Sequence, residues 1–470
     1  MILGNAWFIC YDNDLDAYVP EVWAVETLRQ LENNMVIGSL VHRDYSPDLA
    51  SMGDIVNVTR PGTYKAKRKA TNDDVTVQDS DAESIPVKLD QHVHVSFLIR
   101  DGEESLAFKS IIDEHLKPAS LAMAEQVDRV LLNQVYRFLA NAKGELFGLT
   151  SSNAVNQILQ VREVMNVNKA PVSGRNLIWT PRCESLVLEN STFHEADKVG
   201  DGGLALREAS MGRKLGFSHY MAQQAAGVLT DGLVVAAALV DNGGGYAAGE
   251  TVVHIDTAGS SATVGAWVTF ADDMVPHRIT ALGSLVGEDI DITISPALVR
   301  AVANDTAVTI YVTGAVNQAV SPTGYAAGYA KKIVVDGFTS SVLQVGQMVS
   351  FGTASPVYGI MDVETSSGDT IGVELDRPLE LAIANNDVVG VGPAGDYNFA
   401  FTRDAIAMVI RPLALPRAGS GAVAGVADNR GLAMRSVITY DGNKQGHLVT
   451  LDFLMGVAML DVRLGAVLLG

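Results

Sequence analysis

The spacing of apolar positions changes period several times along the chain. Residues 20–37 follow helical spacing, with Val22, Val25, Leu28 and Leu31 on one face and acids at Glu21 and Glu26. Ile55, Val56 and Val58 then open a strand-like run that ends at Pro61-Gly62. Residues 85–97 alternate. Ile85, Val87, Leu89, Val93, Val95 and Phe97 hold odd positions, and Lys88, Asp90, His92, His94 and Ser96 hold even ones, with one break at Gln91. The pattern predicts a half-buried strand of about 40 Å at ~3.3 Å per residue. With the polar stretch 63–84 between the two runs, a long hairpin with a mobile tip is expected.

From Glu104 to Ala142 nearly every residue favours a helix, and Leu121, Ala124, Val127, Leu131, Val135, Phe138 and Leu139 form one stripe. Pro118 marks either a kink or the first turn of a second helix, and Gly144 a stop. A continuous helix would be roughly 58 Å long at ~1.5 Å per residue, more than one compact domain holds. Residues 150–222 read as mixed α/β: a helix from Asn153 to Met165, a short buried strand at Leu177-Ile178-Trp179, a helix over 203–215 and a strand from Gly216-Phe217.

At about residue 226 the pattern becomes short apolar β runs separated by Gly, Asp, Asn and Ser, and this lasts to about 395. The block contains a repeat. Gly245-Tyr246-Ala247-Ala248-Gly249 recurs at Gly324-Tyr325-Ala326-Ala327-Gly328, His254-Ile255-Asp256 parallels Val334-Val335-Asp336, Gly265 to Phe270 parallels Gly346 to Phe351, and Asn304-Asp305 parallels Asn386-Asp387. Four ordered matches at a steady offset predict two tandem β repeats, about 240–315 and 319–395. After residue 396 longer strand-like runs return, such as Ala433 to Tyr440 and His447 to Leu454.

The length, 470 residues, allows roughly three domains at about 150 residues each. The net charge of −20 excludes a protein that coats nucleic acid through clustered cations. The acid is uneven: residues 226–395 hold 18 Asp/Glu against 5 Lys/Arg, a net of −13. Two cysteines, Cys10 and Cys183, exclude a disulfide framework. No apolar run is long enough to span a membrane, and the early acids of the N-terminus do not fit a signal peptide, so a soluble protein of a reducing compartment is expected.

No motif supports catalysis. His92 and His94 share a strand face at a spacing that can bind metal, but only Asp90 stands near to complete a site, so a solvated or subunit-facing strand is the simpler reading. Gly419-Ser420-Gly421 lacks the Lys-Ser/Thr ending of a phosphate loop. Arg182 beside Cys183 could lower a thiol pKa, although a structural cysteine is the ordinary case. Asp272-Asp273 and Glu288-Asp289-Asp291 lack the fixed spacing of a calcium loop and read as solvated turns. No cofactor and no metal site is expected.

The order of segments, N-terminal helix, long hairpin, long helix, α/β segment, β insertion and α/β return, resembles the major capsid proteins of tailed bacteriophages. The strings that carry the resemblance are Gly53 to Gly62, Leu89 to Phe97, Leu116-Lys117-Pro118-Ala119, Ala124 to Asp128, Ala205-Leu206-Arg207-Glu208 with Gly212 to Phe217, and Phe401 to Ala405. They cover residues 20–222 and 397–470. The inserted block is similar in placement to the extra β domain of short-tailed-phage coat proteins, here doubled. The resemblance implies an α+β fold with an N-arm (1–45), an E-loop (46–100), a spine helix and P domain (101–225, reaching the start of the A domain), a duplicated insertion (226–395), and an A domain returning to the P domain (396–470). It implies a non-enzymatic subunit that self-assembles through hexamers and pentamers into the icosahedral shell around a packaged double-stranded DNA genome, without sequence-specific DNA binding. It also implies a virion location after assembly in the host cytoplasm, a separate scaffolding protein because no coiled-coil segment precedes residue 20, a portal, and room for a decoration protein. An encapsulin-like compartment shell and a β-repeat carbohydrate-binding or adhesive protein are the alternatives. The candidate subunit-interface residues are Arg60, Lys65, Lys67, Arg68, Lys69, His92 and His94. Four of them put four cations into five residues at the hairpin tip, flanked by Gly62 and Thr71-Asn72, which suit bending.

Overall fold

The computed structural model describes residues 20–43, 53–60, 66–69, 74–75, 77, 83–100, 115–195, 208–225, 227–228, 234–256, 261–311, 313–317, 323–329, 332–338, 343–352, 356–367, 370–417, 421–429 and 431–470. The main helices are α1 (Pro20–Asn34), α2 (Lys117–Leu132), α3 (Ala154–Val167) and α4 (Pro181–Leu188). Up to the barrels the strands are β1 (Ile55–Arg60), β2 (Glu83–Lys88), β3 (Gln91–Arg100), β4 (Ala142–Gly144), β5 (Arg175–Trp179), β6 (Arg213–Lys214), β7 (Phe217–Met221) and β8 (Gly227–Val228). The first barrel comprises β9 (Val234–Val240), β10 (Val252–Asp256), β11 (Trp267–Phe270), β12 (Asp273–Leu282), β13 (Ile290–Ser295) and β14 (Ala307–Tyr311). The second comprises β15 (Thr313–Val316), β16 (Ile333–Asp336), β17 (Met348–Phe351), β18 (Tyr358–Ser367), β19 (Thr370–Leu375) and β20 (Val388–Val391). The chain ends with β21 (Gly395–Thr402), β22 (Ile406–Arg411), β23 (Ala422–Asn429), β24 (Leu432–Asp441), β25 (Gly446–Met459) and β26 (Gly465–Leu469).

Helix α1 packs on α2, β23 and β24. Its buried face is Trp23, Ala24, Thr27, Leu28 and Leu31, while Val25 is 58% exposed, so the true apolar stripe is rotated from the expected one. The turn after α1 is held by buried Asp128 of α2, which accepts from the Val36 N–H at 2.7 Å and the Gly38 N–H at 3.2 Å. Burial pushes the Asp128 carboxyl up to about 6.

The expected 39-residue helix is corrected. Pro118 lies in the first turn of α2, directly after His115 and Leu116, which are π-helical; residues 104–114 lie outside those described. After 16 residues of α-helix, Asn133–Asn141 continue as 3₁₀ helix. Side chains at i and i+3 eclipse in a 3₁₀ helix. Val135 and Phe138 therefore line up beside Tyr136 and Leu139, and all four are buried. Leu121, at the start of the expected stripe, is 46% exposed.

The tightened segment lies against a mixed sheet of order β4-β26-β21-β5-β7-β6, with β8 also on β21. Every residue of β21 and β26 is buried; β26 is a continuous apolar run, whereas β21 also buries Asp396, Asn398 and Thr402. The Phe138 ring packs on Phe399 at 5.0 Å, and a side chain at Gly465 would overlap it. A second core forms beneath α3 and α4 around Ile158, Leu177, Trp179, Cys183 and Phe217. There Trp179 Nε1–H donates to His219 Nδ1 at 3.0 Å, which puts the proton of the neutral ring on Nε2, 3.2 Å from the Lys214 carbonyl. The helix expected over 203–215 does not extend through its second half: residues 201–207 are outside the described set, and Arg213–Lys214 form a short strand against β7.

In a second sheet β25 pairs with β22, β24 and β3, and β24 with β23. The strand expected over 85–97 is in fact two. β2 pairs with β1, whereas β3 pairs with β25 from Gly446↔Arg100 to Met455↔Gln91. The chain turns at Leu89-Asp90 because buried Leu89 plugs a small core with Val58, Val87, Val409 and Leu454. The one break in the odd-even alternation, Gln91, is the first residue of β3 and marks the change of partner.

The two barrels share one strand order. Numbering the strands of each from first to sixth, both run 2-5-4-3-6-1 around the closed ring. Matching details recur: the Tyr246 hydroxyl accepts from the His254 N–H and the Tyr325 hydroxyl from the Val334 N–H. Asp305 and Asn386 both take left-handed backbone, at φ 59° and 58°. The first barrel has its own interior around Val253, Phe270, Ile292 and Ile310. The interior of the second is continuous with the core beneath α2.

Two outcomes follow for stability. Phe138→Ala should cost about 3–5 kcal/mol, measured by denaturant unfolding of the unassembled chain, because it leaves a cavity between helix and sheet. Burial holds the His219 ring down at about 4, below its ordinary 6.5. The unfolded chain therefore takes up a proton that the folded chain refuses, and stability is lost as pH falls from about 6.5 towards about 4, by up to roughly 3 kcal/mol. A His219→Gln variant should show a flatter melting temperature across that window than the parent.

Candidate functional site

Among the described residues no catalytic constellation assembles. Among the described residues no group of three or more His, Cys, Asp or Glu is placed to hold a metal. Cys183 is buried, and burial pushes its thiol up to about 11, while Arg182 pairs with Asp396 at 2.7 Å instead of with the sulfur. Asp273 is no solvated turn residue. It is fully buried and accepts from the Val299 N–H at 2.6 Å and the Arg300 N–H at 3.1 Å. Exposed Asp272 accepts from the Ala303 N–H and the Thr306 hydroxyl. Among the described residues no helix is long and apolar enough to cross a membrane.

What the fold does present is a hairpin that packs on the body along its lower strands, through Val58, Val87 and Leu89. β1 and β2 form a two-stranded sheet of six register pairs, Ile55↔Lys88 through Arg60↔Glu83. Hydrogen bonds between Gly53 and Leu89 and between Leu89 and Asp54 close its foot. Arg60 ends β1 opposite Glu83, and beyond it Lys67, Arg68 and Lys69 are exposed, with no ion pair among the described residues. Lys65, Gly62, Thr71 and Asn72 lie outside those residues. Three of the seven candidates are thus gathered at one exposed tip.

His92 and His94 lie elsewhere, near the foot of the hairpin on the open face of β3, with ring centroids 5.6 Å apart. They bracket a buried carboxylate rather than a metal. Asp452 of β25 accepts from Arg435 through both oxygens, at 2.8 and 2.5 Å, and lies 3.1 Å from His92 Nε2. Arg435 already neutralises this carboxylate, which leaves no reason for a cation there.

The polar centre that sequence reasoning missed lies beside this face, where the β2–β3 corner, the end of α2 and the second barrel meet. Arg377 Nη1 binds buried Asp376 at 2.8 Å, its Nε binds Glu380 at 2.8 Å, and its guanidinium lies 4.4 Å over the Tyr358 ring. Arg137 reaches Glu380 from the helical side at 2.5 Å, and the Tyr136 hydroxyl donates to the Gly346 carbonyl. Burial would raise Glu380, but Arg377 and Arg137 outweigh it and hold the carboxyl below its usual range. Asp90, at the corner, has less help: burial raises it to about 6 against the weaker pull of Lys88. A signal existed in the sequence, since Arg377 is one of only five cations in an acidic block, next to Asp376 and three residues before Glu380.

Arg377→Met should cost about 3–5 kcal/mol, because it strands the Asp376 charge in the interior. Removing both charges, with Asp376→Leu added, should recover most of that loss. Denaturant unfolding of the two variants and the parent checks this.

No family model matches the chain, and no curated protein matches it. Among solved structures it is similar to a chain of Mycobacterium phage Che8, at 11% identity and TM-score 0.43, covering 92% of this chain and 90% of that one. It is similar to one in the capsid of the cyanophage P-SCSP1u, at 9% identity and TM-score 0.40, covering 90% and 84%. It is also similar to one in the mature capsid of bacteriophage PhiM1, at 9% identity and TM-score 0.37, again covering 90% and 84%. Phage capsid structures are thus among those the chain is similar to over about nine-tenths of its length.

Proposed function

We propose that the chain is the major capsid protein of a tailed phage, a non-enzymatic subunit that assembles with copies of itself into the icosahedral shell around packaged double-stranded DNA. The observation that carries the reading is the hairpin β1–β2. A two-stranded hairpin is marginal alone, and this one packs on the body through Val58, Val87 and Leu89 while the cations beyond it are exposed. Such an arm makes physical sense when neighbouring copies cover it, and its place before the spine-like helix α2 is the place the sequence resemblance gives to an E-loop. The segments 1–45, 46–100, 101–225 and 396–470 then serve as N-arm, E-loop, spine with P domain, and A domain with return. The two barrels are copies of one inserted module within 226–395. Its acidic surface suits the shell exterior or a subunit boundary better than a lumen filled with a polyanion.

A separate scaffolding protein, a portal and the enclosed genome are the partners this reading entails, a decoration protein is compatible with it, and the finished location is the virion. The encapsulin-like alternative shares the general shape without accounting for the doubled barrel. A carbohydrate-binding role would need a built sugar platform, and no observation favours one.

Negative-stain microscopy of the expressed chain, with and without a co-expressed scaffold, tests the proposal: closed shells support it, and a chain that stays monomeric under all conditions overturns it. Replacing Lys65, Lys67, Arg68 and Lys69 together by Ser should leave the melting of the unassembled chain unchanged and lower the shell yield. Assembly of the parent should weaken as salt rises past about 0.1 M, where screening acts over ~10 Å.

A further inference from the structure

A cleft of about 440 Å³ opens between the β2–β3 corner, helix α2 and the edge of the second barrel. Its wall carries Asp90, His92, Gln126, Glu374, Asp376 and Arg377. Three carboxylates therefore face one guanidinium, and that guanidinium is already engaged by Asp376 and Glu380. Asp376 is 2% exposed, and its Oδ1 has no hydrogen-bond partner among the described residues. A buried acceptor without a donor is unfavourable, and Asp376 adds its charge to the acidic excess of the wall. Asp90 and Glu374 are half-buried and His92 is exposed, which leaves the cleft open to solvent on that side. Beyond Arg377 a second opening of about 400 Å³ is lined by Lys88, Arg137 and Glu380, where charges balance more nearly. The acidic excess belongs to the first cleft, where burial raises Asp90 and the pulls of Lys88 and Arg377 offset it only in part.

We propose that this cleft receives a basic side chain from the hairpin tip of a second copy, with Lys67, Arg68 or Lys69 seated against Asp90 and Glu374. The inference rests on the shell-forming reading and names the receiving surface within it. The cations are on the page: they are exposed and without an ion pair among the described residues. The chain's own tip cannot serve, because the cleft lies at the foot of its own hairpin. β2 alone, six residues long, separates foot from tip by about 20 Å at ~3.3 Å per residue. A neighbouring copy meets the cleft tip-first. The incoming ammonium or guanidinium pairs with Asp90 and Glu374, the half-buried carboxylates of the wall, and offsets the acidic excess.

The full-length chain tests this in two ways. Lys67→Cys and Glu374→Cys chains, each carrying Cys10→Ser, are co-assembled in equal amounts and mildly oxidised. A covalent dimer from the mixture, and none from either variant alone, is expected. Shells that form normally without that dimer overturn the contact while leaving the shell-forming reading intact, whereas a parent chain that forms no particles overturns both. If the cysteine variants fold poorly, charge reversal decides. Glu374→Lys, and Lys67→Glu with Lys69→Glu, should each lower particle yield by roughly tenfold, and combining them in one chain should restore it, as complementary charges across a contact require. Absence of restoration overturns the proposal.

Discussion

The molecule depends on covering three flanks of the segment from Lys117 to Asn141. α1 and the turn fixed by Asp128 close one flank. The buried strands β21 and β26 close another through the Phe138 contact with Phe399 and the bare backbone of Gly465. The second barrel closes a third, where a side chain at Gly359 would overlap Asn133 and where Tyr136 donates to the Gly346 carbonyl. Changing from α to 3₁₀ winding halfway along turns a one-sided stripe into two adjacent columns, which is what lets sheet and barrel both dock on one rod.

That dependence explains why the inserted block is not a passive appendage. The second barrel shares its interior with the hub and is tied to it by Arg137, Glu380, Arg377 and Asp376. The first barrel keeps a separate interior and reaches the hub through a partly exposed pair, Arg300 with Glu145 at 3.4 Å. Exposed pairs of that kind are worth about 0–1 kcal/mol, so the firmer link of the first barrel is to its twin. There Trp267 Nε1–H donates to Ser350 Oγ at 3.2 Å, and Arg278 donates to the Phe351 and Gly352 carbonyls.

Much of this was legible in the amino-acid order. The repeat at Gly245 and Gly324 marked real turns, because those glycines hold φ of 64° and 74° against the backbone of Val302 and Ile383. The alternation at residues 85–97 told which side chains face inward. The change of partner after Leu89 left one trace, the break at Gln91, but a single polar residue does not distinguish a corner from an exposed position within one strand. Helical spacing located Val127, Leu131, Val135 and Phe138 in the core but missed the change of winding, since periods of 3.6 and 3.0 place the same few residues inward over a short run. Val25 and Leu121 were misjudged because an apolar residue at a helical position says nothing about which neighbour arrives. The Arg377 centre escaped because its partners Arg137 and Asp90 lie hundreds of residues away, and no local pattern joins them.

The two barrels repeat one mode of attachment. The second presents Gly346 and Gly359 to the helical rod; the first presents the matching Gly265 and Arg278 to the second barrel. Each thus offers its head to the tail of the next unit, the kind of contact that in principle adds units without limit. The receiving side of the second barrel is open because Gly390 and Gly352 bring bare backbone to the Gly265 loop. In the first barrel those places are taken by Thr309 and Ala271, and Thr269, in the place of Ser350, is engaged by its own Tyr311 at 3.3 Å. The first barrel is therefore a terminal cap, as end units of repeat arrays are. Among the described residues the first barrel does not repeat the bare-backbone seat that the second offers it.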